Sequence, residues 1–418
     1  MSVSLDHINA LFKDRFGEGP VETIRETPYF LKMVKAVKIS KNYTVPINLR
    51  PGHSMLYSGN AYEKVNYKAY QLPVIKEAKG EISAKFFKVE IPLGVIDSLN
   101  KNNTEDGLAY QTAKYFINDA VRTNQLLAEL SYMFGDEGLP EIIGKRTTYN
   151  GQPIASSVRN PLVLTYNTKT TSEAAVRILL NGRIKLANQT YIYTVVDIND
   201  SEILLSAPNH AARNVSIPAT GTRIYIETQK DNDNLGLYQL MNASGEVLGI
   251  NSDQYRNWKP NSFDIGNSKL TLAKVKEAAT MLITKGGVMN EDLVLFIAQE
   301  TWDNLSTEID SARRFDSSYR SEANTVGQRK VGIMHSNGMI ELRYHPLMKR
   351  NTAFLMTNPT SKDNLITLTT DQVMTFENNK NFKNSENSSS AYIIGKMYFA
   401  PFMHDRRRHV LLTNITNE

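Results

Sequence analysis

Leu5, Ile8, Leu11, Phe12 and Phe16 recur at the spacing of one helical face, which predicts a short amphipathic helix near the start of the chain. From 44 to 74 the pattern changes: tyrosines and β-branched residues alternate with polar ones around a tip rich in Pro, Gly, Ser and Asn. Alternation on either side of such a tip predicts a long hairpin. It holds too few large apolar residues to bury itself, so it needs a partner surface. "EISAKFFKVEIPL", from Glu81 to Leu93, predicts a strand. The longest helical signal runs over 103–134, where Ala109, Ala113, Phe116, Ala120, Leu127, Leu130 and Phe134 keep helical spacing. Asn103 suits the N-cap, Glu105 and Asp106 sit by the positive helix end, and Gly135 supplies the stop. At ~1.5 Å per residue this is a rod of about 45 Å, a spine.

Past Pro140 a polar loop containing "YNGQPIASSVRNP" leads into short apolar runs between 162 and 227. "AAVRILL", "GRIKLA", "TYIYTVVD", "SEILLSA" and "TRIYIET" are separated by Asn-Gly, Asn-Asp and Thr-Gly signals, which predicts the strands of a small barrel- or sandwich-like module. Such a module can bind oligonucleotides or sugars, but inside a larger chain a structural role has the stronger claim. "GLYQLMNASGEVLGINSDQYRNWKP" follows, over 236–260: Gly245 and Gly249 bracket an apolar step, and Tyr255 and Trp258 precede Pro260. A chain with two tryptophans that places one in a glycine-punctuated linker points to a structural joint. "TLAKVKEAATMLITKGG" predicts a helix capped by Thr271, with Leu272, Val275, Ala279 and Leu282 on one face and Gly286 at its end. "DLVLFIA" predicts a buried strand and "ETWDNLSTEID" a short helix. A polar loop with Arg313 and Arg314 then leads to the hairpin "VGIMHSNGMIELRYH", turned at Asn337-Gly338, and to the strand "AFLM". In the tail, "NLITLTTDQVMTFE" and "SSAYIIGKMYFAPFMHDRRRHVLLTNI" predict strands on either side of the polar connector "NNKNFKNSENSS".

At 418 residues the chain outgrows a single hydrophobic core. No run approaches the roughly 18–20 apolar residues of a membrane span. The charged opening lacks the apolar stretch of a secretory signal, so a cytoplasmic origin is expected. The absence of cysteine excludes disulfides, thiolate metal sites and a thiol nucleophile. With 48 basic against 43 acidic residues the charge is near balance. The densest basic cluster is Arg406-Arg407-Arg408 between His404 and His409; a solvated or carboxylate-paired strand end suits it better than a nucleic-acid contact. No phosphate-cradling loop, nucleophile elbow or His-Glu-x-x-His motif occurs. The seven histidines are scattered, and His335 and His345, on either side of a hairpin, lack a third ligand for zinc. Asp136, Glu137, Glu300 and Asp303 fall at helix ends, where solvation and the helix dipole account for them. Catalytic, cofactor and metal residues are therefore all expected to be absent, and the chain is expected not to be an enzyme.

Three features together resemble the major capsid proteins of tailed bacteriophages, whose Hong Kong 97-like shell fold is shared with herpesviruses and encapsulins. The stretch 236–260 is similar to that family's Gly-Leu, Gly-x-x-x-Gly-Ile and Tyr-x-x-Trp-Lys run, although Ser252 and Asp253 stand where members often carry an arginine. "LTLAKVKEAATMLITKGGVMNEDLVLFIAQETWDNL" resembles its helix, Gly-rich turn, Asp-led strand and short helix. The third feature is the order of parts over nearly the whole chain. The resemblance implies an α+β fold with an N-terminal arm at 1–40, an extended loop at 41–80, and a peripheral domain at 81–145 and 361–418 that includes the spine helix. An axial domain spans 146–360, with a β-rich insert at about 162–230. Tyr255 and Trp258 would bury against the axial domain. Lys64, Tyr67, Tyr70, Arg313 and Arg314 would make intersubunit contacts. The implied function is self-assembly, as hexamers and pentamers, into an icosahedral shell around a double-stranded DNA genome held without sequence-specific contacts. The implied partners are a separate scaffolding protein, a portal and a cement or decoration protein, with no membrane. Assembly would take place in the bacterial cytoplasm and end in the virion, with little or no N-terminal processing. The alternatives are an encapsulin-like compartment and a carbohydrate-binding β-rich protein.

Overall fold

The computed structural model describes residues 30–39, 43–52, 72–92, 108–154, 158–187, 189–207, 217, 221–242, 244–288, 292–314, 331–335, 338–359, 364–370, 373–376, 383–384 and 390–417. The helix expected over 5–16, the cap Asn103, and the candidate contacts Lys64, Tyr67 and Tyr70 lie outside them.

Helix α1 (Phe30–Met33) and strand β1 (Ala36–Lys38) lead into β2 (Tyr43–Arg50) and β3 (Val74–Gly80). These two strands pair antiparallel from Tyr43↔Gly80 to Arg50↔Val74, and they form the base of the expected long hairpin. β4 (Ser83–Pro92) and the spine helix α2 (Leu108–Phe134) follow. Gly135, at φ +58, ends the spine in the left-handed region that favours glycine.

Strands β5 (Glu141–Arg146), β6 (Pro161–Tyr166), β7 (Arg183–Leu186), β8 (Ile192–Ile198), β9 (Glu202–Ser206) and β10 (Thr222–Ile226) close into a barrel in the order β10-β5-β6-β9-β8-β7. The expected β-rich module is thus a barrel. It recruits β5, which the polar sequence around it concealed. One expected strand is corrected: "AAVRILL" lies within and just after helix α3 (Glu173–Arg177). Ala175, Val176 and Leu179 are buried at helical spacing, with Glu173 in the first turn and Arg177 in the last.

Beyond the barrel come α4 (Leu237–Asn242), the short pair β11 (Glu246–Val247) and β12 (Ile250–Asn251), and β13 (Asn261–Ser268). Helix α5 (Leu272–Gly286) is capped as expected, with Thr271 accepting from the Lys274 amide; its left-handed terminator is Gly287, at φ +64. β14 (Leu293–Ile297) is buried throughout. α6 (Gln299–Arg314) extends further than expected, so Arg313 and Arg314 belong to its last turn and not to a loop. β15 (Val331–His335) pairs with β16 (Gly338–Tyr344) in a register that sets His335 opposite Gly338. Gly338 thus belongs to β16, while Asn337, the other half of the expected turn pair, lies outside the described residues. The chain continues through β17 (Ala353–Thr357), β18 (Leu365–Thr369), β19 (Met374–Phe376), β20 (Lys383–Asn384), β21 (Ser390–Met403) and β22 (His409–Ile415).

Two large sheets result. In one, β21 is the organiser, pairing with β18, β19, β20 and β4, with β1 parallel to β18. The other runs β13-β22-β17-β14-β16-β15. The 361–418 segment, expected beside the spine helix, is shared between them, because β22 crosses into the second sheet. The largest core joins the spine helix, the first sheet, the barrel interior and one face of the second sheet. Helices α5 and α6 cover the other face of the second sheet. A third, smaller core gathers Leu49, Ala78, Ile250, Trp258, Leu368 and Phe402 at the hairpin base.

Candidate functional site

The five residues His404 to Arg408 carry the chain from β21 to β22, and side chains from several elements converge on them. Arg406 is fully buried. Its Nε donates to the Leu240 carbonyl (2.7 Å) and its Nη1 to the Trp258 carbonyl (3.2 Å), while the guanidinium lies 5.6 Å from the Trp258 ring. Desolvation lowers its pKa to about 10. Arg407 is held by both Asp405 carboxylate oxygens and by Asn257 Oδ1, at 3.1–3.2 Å. Asn364, from the other strand connection, accepts from the Asp405 amide (2.9 Å) and meets His409 Nε2 at 3.0 Å. Tyr43, at the start of the hairpin, reaches His404 Nε2 (3.3 Å). The basic cluster is thus turned inward and partly carboxylate-paired. In chemical terms it is a lock.

The 236–260 stretch forms the seat of the hairpin. Leu248 (φ +53) and Gly249 (φ +80) turn β11 into β12, and Gly245 (φ +76) precedes them. The Gly245 amide donates to Asp253 and its carbonyl accepts from the Ser252 amide, so two residues that depart from the family pattern tie this turn. Trp258 Nε1 donates to the Val247 carbonyl (3.1 Å). Tyr255 lies beneath one cation from each hairpin strand, Arg50 at 5.8 Å and Lys76 at 5.0 Å from its centroid. Asn257 donates to the Leu49 carbonyl and Lys79 to the Leu248 carbonyl, at 2.9 and 2.8 Å. Trp258 packs in the hairpin-base core, with Leu49, Ala78, Ile250, Leu368 and Phe402.

Sequence reasoning missed a second lock. Glu129, buried on the spine helix, accepts from the Phe30 amide (2.7 Å), the Leu31 amide (3.3 Å) and His345 Nε2 (3.2 Å). The Leu347 amide donates to His345 Nδ1, which leaves the ring proton on Nε2, facing the carboxylate. Phe30 seals the site against Phe296, at 4.5 Å between centroids. Arm exit, spine and second sheet meet at one carboxylate. His335 instead meets Thr280, so the two histidines singled out above are not brought together. Among the described residues no cluster of His, Asp or Glu could hold a metal ion.

A cleft of about 600 Å³ runs between the spine helix, β4 and the segment after the barrel. At its back Lys85 pairs with Asp233 (2.9 Å), which also accepts from Ser131 and Gln229. Burial lowers the Lys85 pKa, against the pull of Asp233. Asp233 takes four donors, the Asn234 amide among them, so the pair is a satisfied ion pair.

No protein-family model matches the sequence, and no curated protein does. Among solved structures the chain is similar to the capsid asymmetric unit of cyanophage A-1(L), with 11% identity, 92% of this chain and 90% of that one covered, and a TM-score of 0.50. It is also similar to the capsid of the native GTA particle (6% identity, 92% and 89% covered, TM-score 0.45). A further likeness is to the holo-SrpI encapsulin of Synechococcus elongatus (7% identity, 92% and 86% covered, TM-score 0.40). The chain has the Hong Kong 97-like α+β fold of phage capsid subunits. At 11% identity the cyanophage likeness is one of fold.

Proposed function

We propose that the chain is the major capsid protein of a tailed bacteriophage, assembling with itself into the icosahedral shell that encloses a double-stranded DNA genome. The observation that carries this reading is the hairpin. On a fold that matches a phage capsid subunit over 92% of its length, the hairpin leaves Leu72 and Ile75 exposed at 74% and 56%, and among the described residues β2 and β3 pair only with each other. Apolar surface of that kind is stabilised when another subunit covers it. The locks at Glu129 and Arg406 suit the same role, since they hold the roots of arm and hairpin rigid while the outer parts engage neighbours.

The DNA would be held by confinement. The densest basic cluster is engaged inside the subunit, and a net charge of +5 neutralises little of a genome. A scaffolding protein, a portal and a decoration protein are the further partners this reading calls for.

Expression of the chain, alone and with a scaffolding protein, followed by electron microscopy and sedimentation, tests it. Closed icosahedral particles are expected, and nuclease-protected DNA in the virion. A monodisperse monomer at every concentration overturns the reading. Particles that retain a co-purifying enzyme and no DNA replace it with an encapsulin-like compartment.

A further inference from the structure

Residues 30–39 touch three parts of the fold in succession. Phe30, fully buried, stands between the Tyr132 ring of the spine helix (6.2 Å between centroids) and the Phe296 ring of β14 in the second sheet (4.5 Å). Met33 lies against β16, its sulfur 2.8 Å from Arg343 Nη1. From Lys35 onward the chain changes sheets. The Lys35 carbonyl accepts from the Thr367 amide (2.9 Å), β1 runs parallel to β18, and the Ile39 amide donates to the Thr369 carbonyl (2.8 Å). The segment therefore straps the spine and the second sheet to the first sheet.

The strap is closed by contacts that depend on one another. Glu129, buried on the spine, holds the Phe30 and Leu31 amides and His345 Nε2. On its other side the His345 ring is fixed by the Leu347 amide, and the His345 amide donates to the Ile297 carbonyl at the end of β14 (3.0 Å). Withdrawing Phe30 and Leu31 alone would strip two donors from a buried carboxylate, and a buried charge left short of partners is costly. The ring cannot turn to make up the loss without releasing the Leu347 amide. Half-open states are thus disfavoured on both sides, and the contacts yield together. We propose that 30–39 is a latch: it opens as one unit with 345–348, short of global unfolding, and its opening loosens the second sheet against the spine. The latch itself stands on the subunit alone. Its use rests on the shell reading, in which a neighbour that engages the arm would act on this junction.

Hydrogen exchange of the unaltered chain across a denaturant series tests the latch. Segments 30–39 and 345–348 are expected to share one opening equilibrium and one denaturant slope, the slope smaller than that of global unfolding. Glu129→Gln, and separately Phe30→Leu, should raise exchange in both segments by the same factor, about tenfold or more. Different equilibria for the two segments, opening only through the global transition, or a variant that moves 30–39 alone overturns the proposal. Should Glu129→Gln fail to fold, the denaturant series and Phe30→Leu still decide it. In particles compared with the free chain, both segments should change protection by the same factor, because coupling is reciprocal; a change confined to 30–39 removes the coupling to the arm. If no particles form, the shell reading fails, while exchange in the free chain still decides the latch.

Discussion

Lys349 lies 5.3 Å from the centroids of both Phe134 and Tyr238, where the spine helix ends. Burial lowers its pKa from 10.5 to about 8, although Glu137 pulls the other way. The unfolded chain keeps the ordinary value, so between these two values it binds more protons than the folded state, and stability rises with pH. Lys349→Met should therefore stabilise the protein at neutral pH by on the order of 1–2 kcal/mol, with the gain gone by about pH 10.5; urea denaturation at both values checks this. Arg406 is a contrasting case. Its burial is costly, yet its guanidinium donates to the Leu240 and Trp258 carbonyls. Arg406→Ala should cost about 3–5 kcal/mol, more than Arg407→Ala, and the two melts compared in one buffer would show the order.

Adjacent glycines at the end of α5 separate two meanings of that residue. Gly287 is left-handed with open space around it, so Gly287→Ala should cost only about 1 kcal/mol. A Cβ on Gly286 would meet the Arg407 carbonyl at 2.5 Å, and Gly286→Ala should cost about 2–3 kcal/mol because backbone must give way. Thermal unfolding of both variants is the measurement. Elements of this kind mark how far the sequence was legible. α5 announces itself by cap, face and stop, and β14 by an unbroken apolar run. β13, "NSFDIGNS", hides because Phe263 and Ile265 are its only large apolar residues and only Asn261 and Ile265 are buried. "AAVRILL" misled because a short buried helix and a buried strand share the same apolar composition. Glu129 with His345, and Arg406 with Trp258, could not be found from spacing at all. Their partners stand far away in the chain, and a charged residue looks alike in sequence whether solvated or buried.

At the scale of the molecule, the hairpin's outer side chains are expected to matter to association and little to folding. Leu72→Asp with Ile75→Asp should leave the subunit's melting within about 0.5 kcal/mol of the parent, because both residues are exposed, while particle yield collapses. Calorimetry of the subunit beside electron microscopy of the assembly would separate the two effects. The position of β22 carries a further consequence. It lies between β13 and β17, so the second sheet lacks an inner strand until residue 415 has left the ribosome. A nascent chain stalled earlier keeps its second sheet split, however well its spine and barrel have formed. Translation order thus sets the earliest moment at which the second sheet can close, after synthesis has passed that strand.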